Sequence, residues 1–274
     1  MSNETLIYAV GAGHGHAVRG VVLGARAMEE GSAVRVIVRA GALAGVEGLP
    51  LGVALFEKKE TDPLPSPEDF FPRAGRLIVD TFPNGWSDEI SSQWLAQFRS
   101  RVFVARYRKD LNWAKVESQF DEIWLPYAES NNEWDNFPAR AILIGPVAKP
   151  EPVKLLRSER DFVLYDPEGR SSQLLRQRIA ELTEQVGLKF AVATKLTDGL
   201  SVRKLLAIGA GYNTFFELSR SGIDVRFMPV EKRFDDQHRR LSRAGLAVDS
   251  LAQLQIWLQN TIALRESSSQ GASW

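Results

Sequence analysis

The chain has 274 residues, with 34 basic and 34 acidic side chains and no cysteine. That length can hold two domains with cores of their own. Balanced charge argues against a nucleic-acid partner, which selects a basic excess, and the lack of cysteine excludes disulfides, thiolate metal sites and cysteine nucleophiles.

At 44% hydrophobic and 25% charged, the composition is that of a soluble globular protein. No apolar run approaches the roughly 20 residues that cross a bilayer. The start, MSNETLIYAV, shows neither the basic region nor the apolar stretch of a signal peptide. A cytoplasmic location is expected, while seven tryptophans leave room for a peripheral membrane patch.

In chain order, short β-like runs alternate with longer amphipathic stretches. Strands are expected at TLIYAV, AVRVIVRA, LGVALFE, RLIVD, RVFVARY, DEIWLP and RAILIG, with helices between them that include HAVRGVVLGARAMEEG and DEISSQWLAQFRS. The run GPVAKPEPVK, residues 145–154, packs three prolines into a polar stretch and reads as an interdomain linker. The rhythm then restarts with DFVLYD, SSQLLRQRIAELTEQVG, LKFAVAT, LLAIGA, FFELSRSG and DVRFMPV. LSRAG, AVD and LAQLQIWLQNTIALRE finish the fold, the Leu-Gln-Ile-Trp stripe of the last reading as core and the tail ESSSQGASW as frayed. This alternation predicts an α/β protein with two Rossmann-like doubly wound domains, residues 1–146 and 147–274, facing each other across a cleft. Such sheets bind ligands at the carboxyl ends of their strands.

Two turns fall at those ends. After the first strand comes Gly11-Ala12-Gly13-His14-Gly15-His16-Ala17-Val18-Arg19-Gly20. Its glycines superficially match a dinucleotide fingerprint, but the later spacing fails and no acidic residue closes the second strand, which ends in Arg39 and Ala40. The histidines are more telling. All three in the chain, His14, His16 and His238, fall in or beside the two glycine-turn regions, the second running over residues 207–240. Histidine is the side chain suited to take a proton near neutral pH, and His16 or His14 is the candidate, although a turn-orienting role is also open.

The second turn is Gly209-Ala210-Gly211, followed by Tyr212, Asn213 and Thr214 opening a helix. A strand-to-helix glycine turn leaves backbone N–H groups unpaired at the positive end of a helix, a site for phosphate. Glu217, one turn in, is placed to accept from vicinal hydroxyls such as those of a ribose. A diphosphate joined to a sugar would satisfy both.

With both turns in hand, the chain resembles glycosyltransferases of the two-domain GT-B fold. Within them it is most similar to the branch that includes the peptidoglycan N-acetylglucosaminyltransferase and a UDP-sugar hydrolase of pseudaminic acid synthesis. The branch's Gly-x-Gly-His-x-x-Arg turn is matched by Gly13, Gly15, His16 and Arg19, and its Gly-x-Asn-Thr-x-x-Glu turn with a following Asp-Gln pair by Gly211, Asn213, Thr214, Glu217, Asp236 and Gln237. The resemblance implies that Asn213 and Thr214, beside Tyr212, meet the diphosphate, Glu217 the ribose and Gln237 the sugar hydroxyls. His16 would act as base on the incoming nucleophile or bind beside it. Relatives usually carry Gly-Gly after the first strand of the second domain, where this chain has Asp166-Pro167-Glu168-Gly169, and a carboxylate pair there would repel a diphosphate unless it points away. Asp224 stands where proline is usual, and in length the chain is nearer the hydrolase than most transferases of this fold.

There is no Asp-x-Asp triplet for a metal. The expected alternative is neutralisation of a leaving diphosphate by N–H groups at a helix start, with no cofactor, in an inverting displacement. Weaker candidates for the acceptor or phosphate side are Gly13, His14, Gly15 and Arg19 of the first turn, Asp80, which ends RLIVD and could hold a sugar or orient His16, and Arg106, read as a phosphate contact or an ion pair. The rigid loop Thr81-Phe82-Pro83-Asn84-Gly85-Trp86 follows Asp80 at the expected cleft mouth, and Lys232, Arg233, Arg239 and Arg240 form a local basic patch. Three activities share this reading: a sugar transferase with a nucleotide-sugar donor (UDP-linked by the resemblance) and an unknown acceptor, a nucleotide-sugar hydrolase, and a non-catalytic nucleotide-sugar-binding protein.

Overall fold

The computed structural model describes residues 4–71, 75–129, 132–149, 151 and 153–270. The chain divides into two compact units, Met1–Glu151 and Pro152–Trp274. Pro150 and Pro152 of the expected linker lie outside the described residues.

In the first unit, seven strands form one parallel sheet: β1 (Glu4–Ala9), β2 (Ala33–Arg39), β3 (Ala54–Lys58), β4 (Arg76–Asp80), β5 (Ser100–Val104), β6 (Glu122–Leu125) and β7 (Ala141–Leu143). Their order is β3-β2-β1-β4-β5-β6-β7, so the winding reverses between β1 and β4. Helix α1 (His14–Glu29) packs on this sheet at short range because of Gly20. A Cβ on Gly20 would stand 2.5 Å from the Ala9 Cβ and 2.9 Å from Val36 Cγ1. Buried Ile7, Ala9, Ala17, Val36, Ile78 and Val102 make the core there.

The helix expected over DEISSQWLAQFRS is much shorter: α2 is Ser92–Leu95, capped by Ser91, whose hydroxyl accepts from the Trp94 amide at 3.1 Å. Trp94 and Phe98 still bury their rings from that segment. A further helix that the pattern did not reveal, α3 (Trp113–Gln119), starts at Asn112, whose side chain accepts from Lys115 N–H.

The second unit is a four-stranded parallel sheet of β8 (Leu156–Tyr165), β9 (Lys189–Ala193), β10 (Ser201–Ile208) and β11 (Asp224–Met228), in the order β11-β10-β8-β9. Here the reversal falls between β8 and β10. Helices α4 (Gln173–Gln185), α5 (Tyr212–Ser219), α6 (Gln237–Ala244) and α7 (Leu251–Gln270) complete it. The helix α7 continues through Ser267–Gln270, part of the tail expected to fray, and residues 271–274 lie outside the described residues. In its apolar stripe Leu254, Trp257 and Leu258 are buried at helical spacing, whereas Ile256, expected in the core, is 59% exposed.

Asp224 anchors this last helix. The buried Lys204 Nζ donates to Asp224 at 2.5 Å and sits 4.4 Å from the centre of the Trp257 ring, and Trp257 Nε1 donates to the same carboxylate at 3.0 Å. No described helix is long and apolar enough to cross a membrane.

Candidate functional site

The helix caps single out two turns. Ser91, Asn112, Ser172 and Asp236 each accept a backbone N–H at the start of α2, α3, α4 and α6. Helices α1 and α5 begin instead at Gly13 and Gly211, which have no side chain to do so. These are the helices that follow β1 and β10, one strand on each side of the chain reversals where open α/β sheets take ligands. A capping oxygen would occupy the place that an anion takes at a helix start.

At the first turn, β1 and β4 are neighbours, so the start of α1 meets the end of β4. His16 Nδ1 donates to Asp80 Oδ2 at 2.7 Å. Arg19, one turn further along α1, grips the same carboxylate with Nε to Oδ1 at 3.0 Å and Nη2 to Oδ2 at 2.7 Å. Arg19 and Asp80 are completely buried and His16 nearly so, with 12% of its side chain exposed. With its Nδ1 proton given to Asp80, the ring carries its lone pair on Nε2, which has no hydrogen-bond partner among the described residues. Burial lowers the His16 pKa to about 4, with Arg19 and Arg106 adding to the effect and Asp80 opposing it. Burial alone would raise Asp80; the Arg19 charge and the bond from His16 outweigh it and hold the carboxyl well below its usual range. The result at neutral pH is an uncharged imidazole backed by a neutralised ion pair.

The surroundings fix this ring. A Cβ on Gly11 would fall 2.2 Å from the His16 ring, so only glycine leaves it room. Phe82 packs against the imidazole at 5.2 Å, Trp86 meets Phe82 edge-on at 4.8 Å, and the Arg108 guanidinium lies 4.6 Å from the centre of the same Phe82 ring. Thr81 turns the chain there with φ 68°, the left-handed region uncommon outside glycine. Buried Tyr8 ties the loop down: its hydroxyl donates to Glu89 and accepts from Trp86 N–H at 3.1 Å.

Of the other candidates at this end, Gly13 is the N-cap and Gly15 lies in the first turn. His14 points away, donating from Nδ1 to the Ala42 carbonyl at 2.5 Å. Arg19 is completely buried in its bidentate grip on Asp80 and holds the dyad together. Arg106 acts on His16 through its charge.

At the second turn the chemistry is in the backbone. Gly209 takes φ 85°, and Gln237 reaches in behind it so that its Oε1 accepts from Ala210 N–H at 2.7 Å and Val230 N–H at 3.0 Å. Arg240, paired with Asp235 at 2.6 Å, donates to the Ala210 carbonyl. Gln237 and Arg240 are both buried, and the Gln237 side-chain oxygen is engaged by two amides that shape the turn. Asp236 is likewise the cap of α6, accepting from Arg239 N–H at 3.0 Å.

Asn213, Thr214 and Glu217 remain half-buried along α5, while Tyr212 is buried against Phe216 at 4.6 Å. Tyr165, at the end of β8, joins this cluster: burial and then the nearby Glu217 charge push its hydroxyl up to about 12. Sequence reasoning passed over it, although its place next to the end of DFVLYD, beside the chain reversal, marks it.

The carboxylates after β8 are neutralised. Asp166 is buried and turned into its own loop, accepting from the amides of Arg170 at 2.8 Å and Ser171 at 2.9 Å and from Arg176 at 3.1 Å. Glu168 is held by Arg170 and Lys232. Within the expected basic patch, Arg240 and Lys232 each have an acid.

No protein-family model matches the chain, and no curated protein matches it by sequence. Solved structures do. The spinosyn forosaminyltransferase SpnP superposes with a TM-score of 0.62 at 13% identity, covering 100% of this chain and 96% of its own. MurG of Acinetobacter baumannii gives 0.59 at 12% identity over 97% and 94% of the two chains. LpCGTa in complex with UDP gives 0.57 at 14%, over 100% and 96%. The fold is that of the GT-B glycosyltransferases.

Proposed function

We propose that this chain transfers a sugar from a nucleoside-diphosphate donor, with UDP, the nucleotide of the LpCGTa complex, as the carrier, to an acceptor hydroxyl, with inversion and without a metal. The observation that carries the reading is the His16–Asp80 contact at 2.7 Å, which leaves a neutral Nε2 to take a proton. The acceptor oxygen attacks the anomeric carbon while its proton passes to Nε2, and the bond from that carbon to the diphosphate oxygen breaks. The departing charge is received at the uncapped start of α5 by N–H groups, with Asn213 and Thr214 beside it. Glu217 takes the ribose hydroxyls. The imidazolium formed is stabilised by Asp80, and Arg19 keeps that carboxylate ionised and in place.

Incubation with UDP-, GDP- and dTDP-sugars tests this. Nucleoside diphosphate released only with an acceptor supports transfer; release into water alone identifies the hydrolase, and tight binding without turnover a binding protein. Replacing His16 with Ala should cut turnover by roughly 10²–10⁴ and leave donor affinity nearly unchanged. Full activity in that variant removes the base.

A further inference from the structure

In the second sheet β10 lies between β8 and β11, so any contact between the loops that follow those two strands spans the end of β10. An ionic contact among the described residues does so. Lys232 Nζ, from the loop after β11, donates to both oxygens of Glu168, from the loop after β8, at 3.0 Å each, and Arg170 Nε donates to the same carboxylate. The three side chains are between 34% and 52% exposed, so the cluster is open to a solute. Asp166 takes no part, because the Arg170 and Ser171 amides and Arg176 occupy its oxygens.

One carboxylate thus bridges two cations from separate loops beside the Gly209–Gly211 turn. Its pair of oxygens presents to them what a phosphate would. Resting on the reading that this turn takes a nucleoside diphosphate, we propose that Glu168 is an internal stand-in for the ligand: the diphosphate displaces it and takes Lys232 and Arg170 as its counter-ions. An exposed ion pair is weakly held, whereas charge-assisted bonds to a multiply charged phosphate are stronger, so the exchange runs toward the ligand. The acid also keeps the two loops together when no anion is bound, and it sets a threshold that a neutral sugar does not pass.

Calorimetric titration of the full chain with inorganic pyrophosphate and with UDP tests the exchange. Glu168→Gln should tighten both ligands by about two- to fivefold, the range set by an exposed pair. Lys232→Gln should weaken both by about tenfold, as loss of one charge-assisted contact does, and Glu168→Gln added to it should give no further tightening. All three variants should melt within a degree or two of the parent, as surface changes do. If UDP binds and Glu168→Gln leaves its affinity unchanged or weaker, the stand-in is overturned and the donor reading stands. If Glu168→Gln tightens pyrophosphate but UDP binds no better than pyrophosphate, the stand-in holds and the nucleotide reading fails. Binding of neither ligand to any form overturns both.

Discussion

The turn after β1 gathers three titratable side chains, His16, Arg19 and Asp80, into a buried knot with bonds of 2.7 to 3.0 Å. The turn after β10 likewise follows a strand beside the chain reversal of its own sheet and offers mainly backbone, with Gln237 and Arg240 bracing it from behind. The two positions are topologically alike and chemically opposite. A proton acceptor must be a side chain whose pKa the surroundings can set, so the first turn spends burial and charge on one imidazole. An anion needs several donors at fixed angles, which backbone amides supply when glycine frees them and no side chain caps them.

The sharpest way to break this contrast is to remove a charge from the first turn. Asp80→Asn leaves Arg19 buried without its counter-charge and should cost about 3–5 kcal/mol of stability, read from urea unfolding. The double variant Arg19→Met with Asp80→Asn should recover part of that loss, because the uncompensated charge goes with the arginine. A double variant no more stable than Asp80→Asn alone shows that packing, and not charge, holds the knot.

A gentler probe of the same turn is pH. His16 in the folded chain has a pKa of about 4, below the ordinary 6.5, so the unfolded state binds its proton first. Stability should be present above pH 6.5 and fall as pH drops toward 4, by up to about 1.4 kcal/mol per unit from this residue. Asp80, held low by Arg19 and His16 against the cost of burial, extends the loss below the ordinary carboxylate value. His16→Asn should flatten the upper part of the curve. If instead the unchanged protein is as stable at pH 4.5 as at 7, the imidazole is not buried neutral.

How far these turns were legible follows from the same contrast. His16 and Arg19 sit three residues apart and so share a helix face, and both lie in a motif visible as a string. Asp80 was visible as a strand end, but its partnership with them depends on β4 lying next to β1, a strand order that spacing does not encode. In the second unit the glycine turn and Glu217 were legible for a local reason, since strand, turn and helix are continuous. For Gln237 and Asp236 a string shows two polar residues but not that the first braces the turn and the second caps α6, because those partners are a property of the packed fold. Asp166 raised a false alarm for the same reason: a string shows a carboxylate but not that Arg170, Ser171 and Arg176 absorb it.

At the second turn the corresponding test is Gln237→Ala. The amides of buried Ala210 and half-buried Val230 lose their acceptor together, which should cost roughly 1–3 kcal/mol and weaken UDP binding more than the stability change alone explains. Loss of stability with unchanged UDP affinity separates the brace from the binding surface.

The smallest effect discriminates best between an ordinary helix start and one reserved for a ligand. Gly209 is needed for conformation, since at φ 85° a Cβ is strained. Gly211 is not: its φ is −54°, ψ 149°, and a Cβ there would meet nothing within 4 Å. Nothing in the packing therefore forbids a serine at that position, and as N-cap a serine should stabilise α5 by a few tenths of a kcal/mol over glycine. Its hydroxyl would accept the very amides that the proposed diphosphate uses. Gly211→Ser should raise the melting temperature slightly and weaken UDP, two changes of opposite sign from one substitution. A variant that is stabilised and binds UDP as before would mean that the bare helix start is incidental and the nucleotide docks elsewhere.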